Sequence, residues 1–159
     1  MAGALRPDEG PRTQLALPFE GTWVVGQGYH GGESHHGHAA YALDLVKLGA
    51  DGQAHVRQGK QTKDWYGFGA EVLATADGVV VRAIDEFPDN PVLGKATDTN
   101  TLIVRHGPAE FSEYVHLQHR SLRVRVGERV KRGQVLARCG NSGSATPHLH
   151  LAMLSSFEP

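Results

Sequence analysis

The sequence predicts an all-β domain with little helix, and three observations predict it. Short apolar runs rich in β-branched residues recur along the chain, and most of the 20 glycines stand singly between them. Alternating apolar and polar positions mark several of those runs. No segment carries the three-to-four-residue apolar repeat of an amphipathic helix of ordinary length. With 159 residues, 40% hydrophobic and 21% charged, the chain suits one domain able to bury a core unaided.

Residues 1–18 read as a flexible N-terminal arm and residues 19–159 as the domain. Thr22–Val25 is the first β-rich run, followed by a glycine loop from Gly26 to Gly32. Tyr41–Val46 reads as a mostly buried strand, and 47–66 as a polar surface loop or insertion. Glu71–Ala74 and Val79–Ile84 flank Asp77-Gly78, a pair that predicts a tight hairpin. Residues 85–99 form a loop long enough to rim a cleft. Strands follow at Thr101–His106, Glu113–Leu117 and Leu122–Val126, the last in strict alternation. Gly127-Glu128 turns the chain into Arg129–Ala137, Gly140–Ser144 is a loop, and His148–Met153 is the final strand.

Charge and cysteine content narrow the chemistry. A net charge of −1 gives no argument for nucleic acid or an anionic membrane surface, and Arg129–Arg132 reads as a solvated turn. The single cysteine, Cys139, excludes an internal disulfide and a cysteine-based zinc site. No apolar run approaches membrane-spanning length, and the first residues do not form a signal peptide. The 10 histidines are roughly three times ordinary usage, and they cluster.

His148-Leu149-His150 would present both imidazoles on one strand face, with Leu149 and Leu151 directed to the core. Taken alone, such a pair is also what a half-exposed structural strand would show. Tyr114 and His116 would share a face in the same way. Asp44 lies among Leu43, Leu45 and Val46, where a bare carboxylate is costly and a cation is a fitting partner. Three histidines, His35, His36 and His38, stand just upstream. Two imidazoles and one carboxylate leave a tetrahedral Zn2+ one open position, the layout of a catalytic site. Zinc there would acidify a water and polarise a carbonyl, with two further histidines as general base and oxyanion stabiliser.

In sequence order the chain carries Ser-His-x-Gly (34–37), Tyr-Ala-Leu-Asp (41–44), Val-Leu-Ala-x-x-x-Gly-Val-Val (72–80) and Asn-Thr-Leu-Ile-Val-Arg-His (100–106). Tyr-Val-His-Leu (114–117), Val-x-x-Gly-Glu-x-Val-x-x-Gly-Gln-Val-Leu (124–136) and Gly-Asn-Ser-Gly…Pro-His-Leu-His-Leu (140–151) follow. This set resembles the lysostaphin/LytM-type zinc endopeptidases, which cut peptide bonds in bacterial peptidoglycan. The resemblance implies two packed antiparallel sheets built from a duplicated hybrid motif. It implies His35, Asp44 and His150 as zinc ligands, and His116 and His148 as the catalytic pair beside the metal-bound water. It also implies a secreted or cell-envelope location and a peptidoglycan peptide as substrate; a monomer is expected.

Two departures from the family pattern accompany this. Many members place the first ligand histidine four residues before the aspartate, where this chain has Ala40, and a subgroup with a longer spacer makes His35 the match. Strand parity favours His36 or His38, but Gly37 permits a break of phase, so His35 is expected, with His36 as the fallback. Only eight residues follow Leu151, so a C-terminal edge trimmed relative to the family is expected.

Other readings compete. A non-catalytic LytM-type regulator of cell-wall hydrolases would lack ligands, yet all five positions are filled. Residues 124–136 also look like a biotinyl/lipoyl carrier motif, but the nearby lysine, Lys131, sits between Arg129 and Arg132. A phosphocarrier would leave Asp44 without a role. The groove of a peptidase would be rimmed by residues 26–38, 47–66 and 85–99.

Overall fold

The computed structural model describes residues 12–32, 34–90 and 98–158. Among these, nine strands make two antiparallel sheets, and the helical content is two three-residue 3-10 turns, Gly37–Ala39 and Thr62–Asp64. The strands are β1 (Trp23–Gln27), β2 (Leu43–Lys47), β3 (Glu71–Leu73), β4 (Gly78–Ile84), β5 (Thr101–Gly107), β6 (Glu110–Val115), β7 (Arg129–Val130), β8 (Val135–Arg138) and β9 (Leu149–Leu154). A seven-stranded sheet runs in the order β1-β2-β9-β6-β5-β4-β7, and β3 and β8 form a separate pair.

The main core lies on one face of the large sheet. Leu43, Leu151, Tyr114, Leu102 and Ala83 follow one another across β2, β9, β6, β5 and β4. They join Val72, Leu136 and Ala137 of the small sheet in the same apolar cluster. Directly opposed residues share a face, so the next row, Asp44, His150, Val115 and Thr101, is displayed on the other face. Cys139 is fully buried in the main core, and burial pushes its thiol up to about 12.

Three strand expectations are corrected. Asp77-Gly78 closes no hairpin: β3 pairs with β8, and β4 pairs with β5 and β7. A Cβ at Gly78 would lie within 2.6 Å of Val104 Cγ1 and the Arg105 carbonyl. The glycine thus serves a close approach of strands, not a turn torsion. Leu122–Val126 joins no ladder, and Val126 already lies in a turn; its alternation reflects burial of Val124 and exposure of Val126, with Arg123 N–H donating to Leu136 O at 2.8 Å. Arg129–Ala137 is two strands, divided at Gly133, whose φ of +81° breaks the run.

Of the arm expected over residues 1–18, residues 1–11 lie outside the described set, and the remainder is bonded to the domain. Arg12 N–H donates to Glu110 Oε1 at 2.6 Å, Thr13 Oγ1 donates to Glu110 Oε2, and Ala16 N–H donates to Thr75 O at 2.7 Å. Leu73 N–H donates to Pro18 O at 2.7 Å. Packing therefore reaches back past residue 19.

Candidate metal centre

The five histidine and aspartate positions singled out in the sequence converge: Asp44, His116, His148 and His150 line a groove of about 570 Å³ on the open face of the large sheet, and the fully buried His35 adjoins Asp44. Asp44 comes from β2 and His150 from β9, directly paired across the ladder. His150 Nδ1 lies 2.8 Å from Asp44 Oδ1. His35 Nε2 stands 3.1 Å from the same oxygen, and His148 Nε2 3.5 Å. One ligand atom each from His35, Asp44 and His150 falls within a 4.8 Å set.

His35 is placed by a loop rather than a strand. The chain leaves β1, folds back, and His35 Nδ1–H donates to Gly28 O at 2.7 Å. Gly32 permits that loop: its φ is +56°, and a Cβ there would collide with Gln27 Oε1. His35 is fully buried. With Nδ1 carrying the proton, Nε2 presents a lone pair. Its approach to Asp44 lacks hydrogen-bond geometry, so this buried nitrogen has no hydrogen-bond partner. Unsatisfied buried polar atoms are rare, and a cation would answer this one. The donor set of two imidazoles and a carboxylate fits zinc. Strand parity does not apply here, because Gly37, at φ +59°, opens a 3-10 turn. His36 and His38 are exposed.

His116 reaches the groove by a break of phase. β6 ends at Val115, and His116 adopts a left-handed φ of +64°. The expectation that it shares a face with Tyr114 is corrected: Tyr114 is fully buried in the core, while Val115 and His116 both line the groove. A non-glycine residue in this region stores strain of a kind that gathers at functional sites. His116 Nδ1–H donates to Ser142 O at 2.8 Å, which leaves Nε2 unprotonated. Burial, reinforced by the neighbouring His148, lowers its pKa to about 3. His148 is oriented by Nδ1–H donating to Thr146 O at 3.0 Å, and the His116 and His148 rings lie 4.6 Å apart.

Burial would raise the Asp44 carboxyl. Hydrogen bonds and charge from His148 and His150 outweigh it and hold the group well below the usual carboxylate range. Its second oxygen, Oδ2, accepts from Gln27 Nε2 at 3.2 Å. A register shift between Val25 and Gln27 in β1 sets Gln27 opposite Asp44.

Sequence reasoning missed Gln27, Thr99, Arg82 and Glu113. Thr99 Oγ1 donates to Ser142 O at 3.0 Å beside His116, and Thr99, Arg82 and Glu113 line the groove. Nothing in their local pattern distinguishes them from ordinary polar residues of a strand or loop. Among the described lining residues, Ser34, His38, Ala39 and Gly143–Ala145 form rims, whereas 47–66 contributes none. That segment instead bonds to the loop after β8: Asn141 Nδ2 donates to Thr62 Oγ1 at 3.1 Å and to Asn90 O at 3.1 Å. Residues 91–97 of the expected 85–99 rim lie outside the described set.

Comparison with known proteins accords with this geometry. Peptidoglycan DD-endopeptidase ShyC of Vibrio cholerae is 36% identical over 88 residues, covering 54% of this chain and 18% of that protein. The chain thus spans about a fifth of the length of that relative. A zinc containing peptidase from Vibrio cholerae has the same fold, with a TM-score of 0.57 and 23% identity over 90% of this chain and 37% of that one. The catalytic domain of lysostaphin from Staphylococcus simulans does so with a TM-score of 0.50 and 22% identity, over 86% and 83% of the two chains. Residues 64–158 match the family described as peptidase family M23, and the chain belongs to that family.

Proposed function

We propose that this chain is a zinc-dependent endopeptidase domain that hydrolyses peptide bonds of peptidoglycan cross-links in the cell envelope or outside the cell. The domain includes residues 19–159, with residues 12–18 bonded to it, and His35, Asp44 and His150 hold Zn2+. The observation that carries the reading is the buried, unpartnered Nε2 of His35, aimed at Asp44 beside His150. Kinship with DD-endopeptidases supports the substrate class.

Zinc held there supplies Lewis acidity, acidifying a water and polarising a carbonyl. The chain's own groups do the rest. His116, neutral and with Nδ1 committed to Ser142, offers Nε2 as proton acceptor in the groove. His148, with Nδ1 committed to Thr146, directs Nε2 to the same space, and in its imidazolium form donates Nε2–H to the charge developing on the substrate oxygen. Gln27 fixes Asp44 Oδ2 and so the orientation of Oδ1.

Metal analysis and digestion of purified sacculi, followed by product masses, test this. His150→Ala is expected to lose bound zinc. His116→Ala is expected to keep zinc and lose turnover by roughly 10²–10⁴-fold. Activity retained in both variants would overturn the assignment. Bound zinc without cleavage of any peptide would point instead to a non-catalytic regulator.

A further inference from the structure

The groove continues past the histidine cluster to Thr101, Glu113 and Arg82. Register fixes how the two charged residues stand. Arg82 of β4 is opposite Ile103 of β5, and Ile103 is opposite Glu113 of β6. Both therefore project on the groove face two strands apart, roughly 10 Å between backbones at ordinary strand spacing. Glu113 is two residues from Val115, which pairs with His150. One strand spacing and two residues of rise put it about 8 Å from the His150 backbone. That is the reach of a substrate residue next to the one being cut.

Arg82 arrives there through a bulge. Val80 is buried in the core, and in an unbroken ladder Arg82 would follow it inward while Ala83 turned outward. The register shift between Val80 and Arg82 inserts Val81 as an extra residue. Ala83 then packs on the core and Arg82 lines the groove. Bulges of this kind re-aim side chains beside active sites. The fold makes no use of either charge: among the described residues, the Arg82 and Glu113 side chains have no hydrogen bond or ion pair. A cation and a half-buried carboxylate thus share one groove wall without neutralising each other.

We propose that Arg82 and Glu113 form a bipolar specificity subsite, Arg82 taking a carboxylate and Glu113 an ammonium group of one substrate residue. A residue inside an ordinary peptide main chain has neither group free on its α-carbon. An amino acid joined through its side chain keeps both. The subsite therefore selects peptides branched through a side-chain amide and carrying a free zwitterionic α-centre close to the scissile bond. The guanidinium forms a bidentate pair with the carboxylate, and Glu113 accepts from the ammonium. This deepens the peptidase reading above and rests on it.

Three synthetic branched peptides test the proposal with the zinc-loaded chain. One keeps the zwitterionic centre, one has its carboxylate converted to carboxamide, and one has its amine acetylated. The native chain is expected to favour the first by roughly tenfold or more in kcat/KM, expressed in KM. Arg82→Gln should abolish the preference over the carboxamide peptide alone, and Glu113→Gln the preference over the acetylated peptide alone. Equal kcat/KM for the three peptides in the native chain, or variants that lower all three alike, would overturn the subsite. If the native chain cleaves none of them, the peptidase reading fails separately. Calorimetric affinities of the same peptides then decide: the zwitterionic peptide binding tightest, with that ranking flattened in Arg82→Gln, supports the subsite, and equal affinities overturn it.

Discussion

On the core side of the large sheet, Leu43, Leu151, Tyr114, Leu102 and Ala83 make a continuous cross-strand row of buried or half-buried groups. On the groove side Asp44, His150 and Glu113 keep regular register, but four other polar groups arrive by irregular routes. Gln27 and Arg82 follow register shifts in β1 and β4, His116 follows a left-handed residue at the end of β6, and His35 comes from a loop. The difference shows a division of labour. Regular alternation gives burial, which needs many residues in roughly the right place. Chemistry needs a few groups converging on one point, and a two-residue period cannot deliver them from one strand. Each break of phase puts one such group where alternation would not.

The harshest way to break this comparison is to remove one residue from each kind of place. Deleting Ile103 from the regular β5 flips the rest of that strand, so core and groove residues exchange faces. We expect no cooperative urea transition, since the loss exceeds the roughly 5 kcal/mol at the low end of domain stability. Deleting Val81 removes the bulge, leaves Val80, Arg82 and Ala83 on their present faces, and is expected to give a folded protein with a cooperative transition. Equal damage from the two deletions would erase the distinction.

A finer comparison concerns His116 itself. In an ordinary strand, alanine is more stabilising than glycine. At a φ of +64° that order should invert. His116→Gly is expected to be more stable than His116→Ala by about 1 kcal/mol in urea melts, with both inactive. The ordinary order would mean that the residue relaxes into the strand.

The smallest effect lies at Glu110, far from the groove. A hydrogen bond from Thr13 is the main cause of its lowered pKa; burial opposes this, and the Arg12 N–H adds to the lowering. A carboxylate whose folded pKa lies below its unfolded value contributes stability in full above the unfolded value, and loses it as pH falls through the folded one. The melting-temperature difference between the native chain and Glu110→Gln should therefore be present at pH 7 and shrink as pH falls below the ordinary glutamate range. A gap that stays constant into acid would show that the clasp does not depend on charge.

How much was legible follows from the same physics. Thr101–His106 could be read as a continuous β-branched apolar run, buried on both faces through Val104, and His148–Met153 by its alternation of histidine and leucine; both are strands in the structure. Leu122–Val126 alternates as strictly yet forms no ladder, because alternation reports burial and not hydrogen bonding. The hairpin expected at Asp77-Gly78 failed because a glycine needed for lack of a side chain looks, in sequence, like one needed for its torsion. Asp44 and the His148–His150 pair stood out through the cost of a carboxylate among aliphatics and through spacing. His35 did not: parity pointed to its neighbours, and the family pattern was needed to choose it. Arg82 and Glu113 could not be found by either route, since the bulge that turns Arg82 has no residue signature in β4 and Glu113 looks like any polar residue on an open strand face.

Cys139 has a quieter consequence. Its thiol, enclosed in the core with its pKa pushed up to about 12, stays protonated through the neutral range. A protonated, enclosed sulfur is neither nucleophile nor ligand. It cannot scavenge a soft metal ion during loading, cross-link two copies in air, or be capped by glutathione. Cys139 is in that sense deaf to the oxidant level of its surroundings, and the histidines meet no competing thiolate.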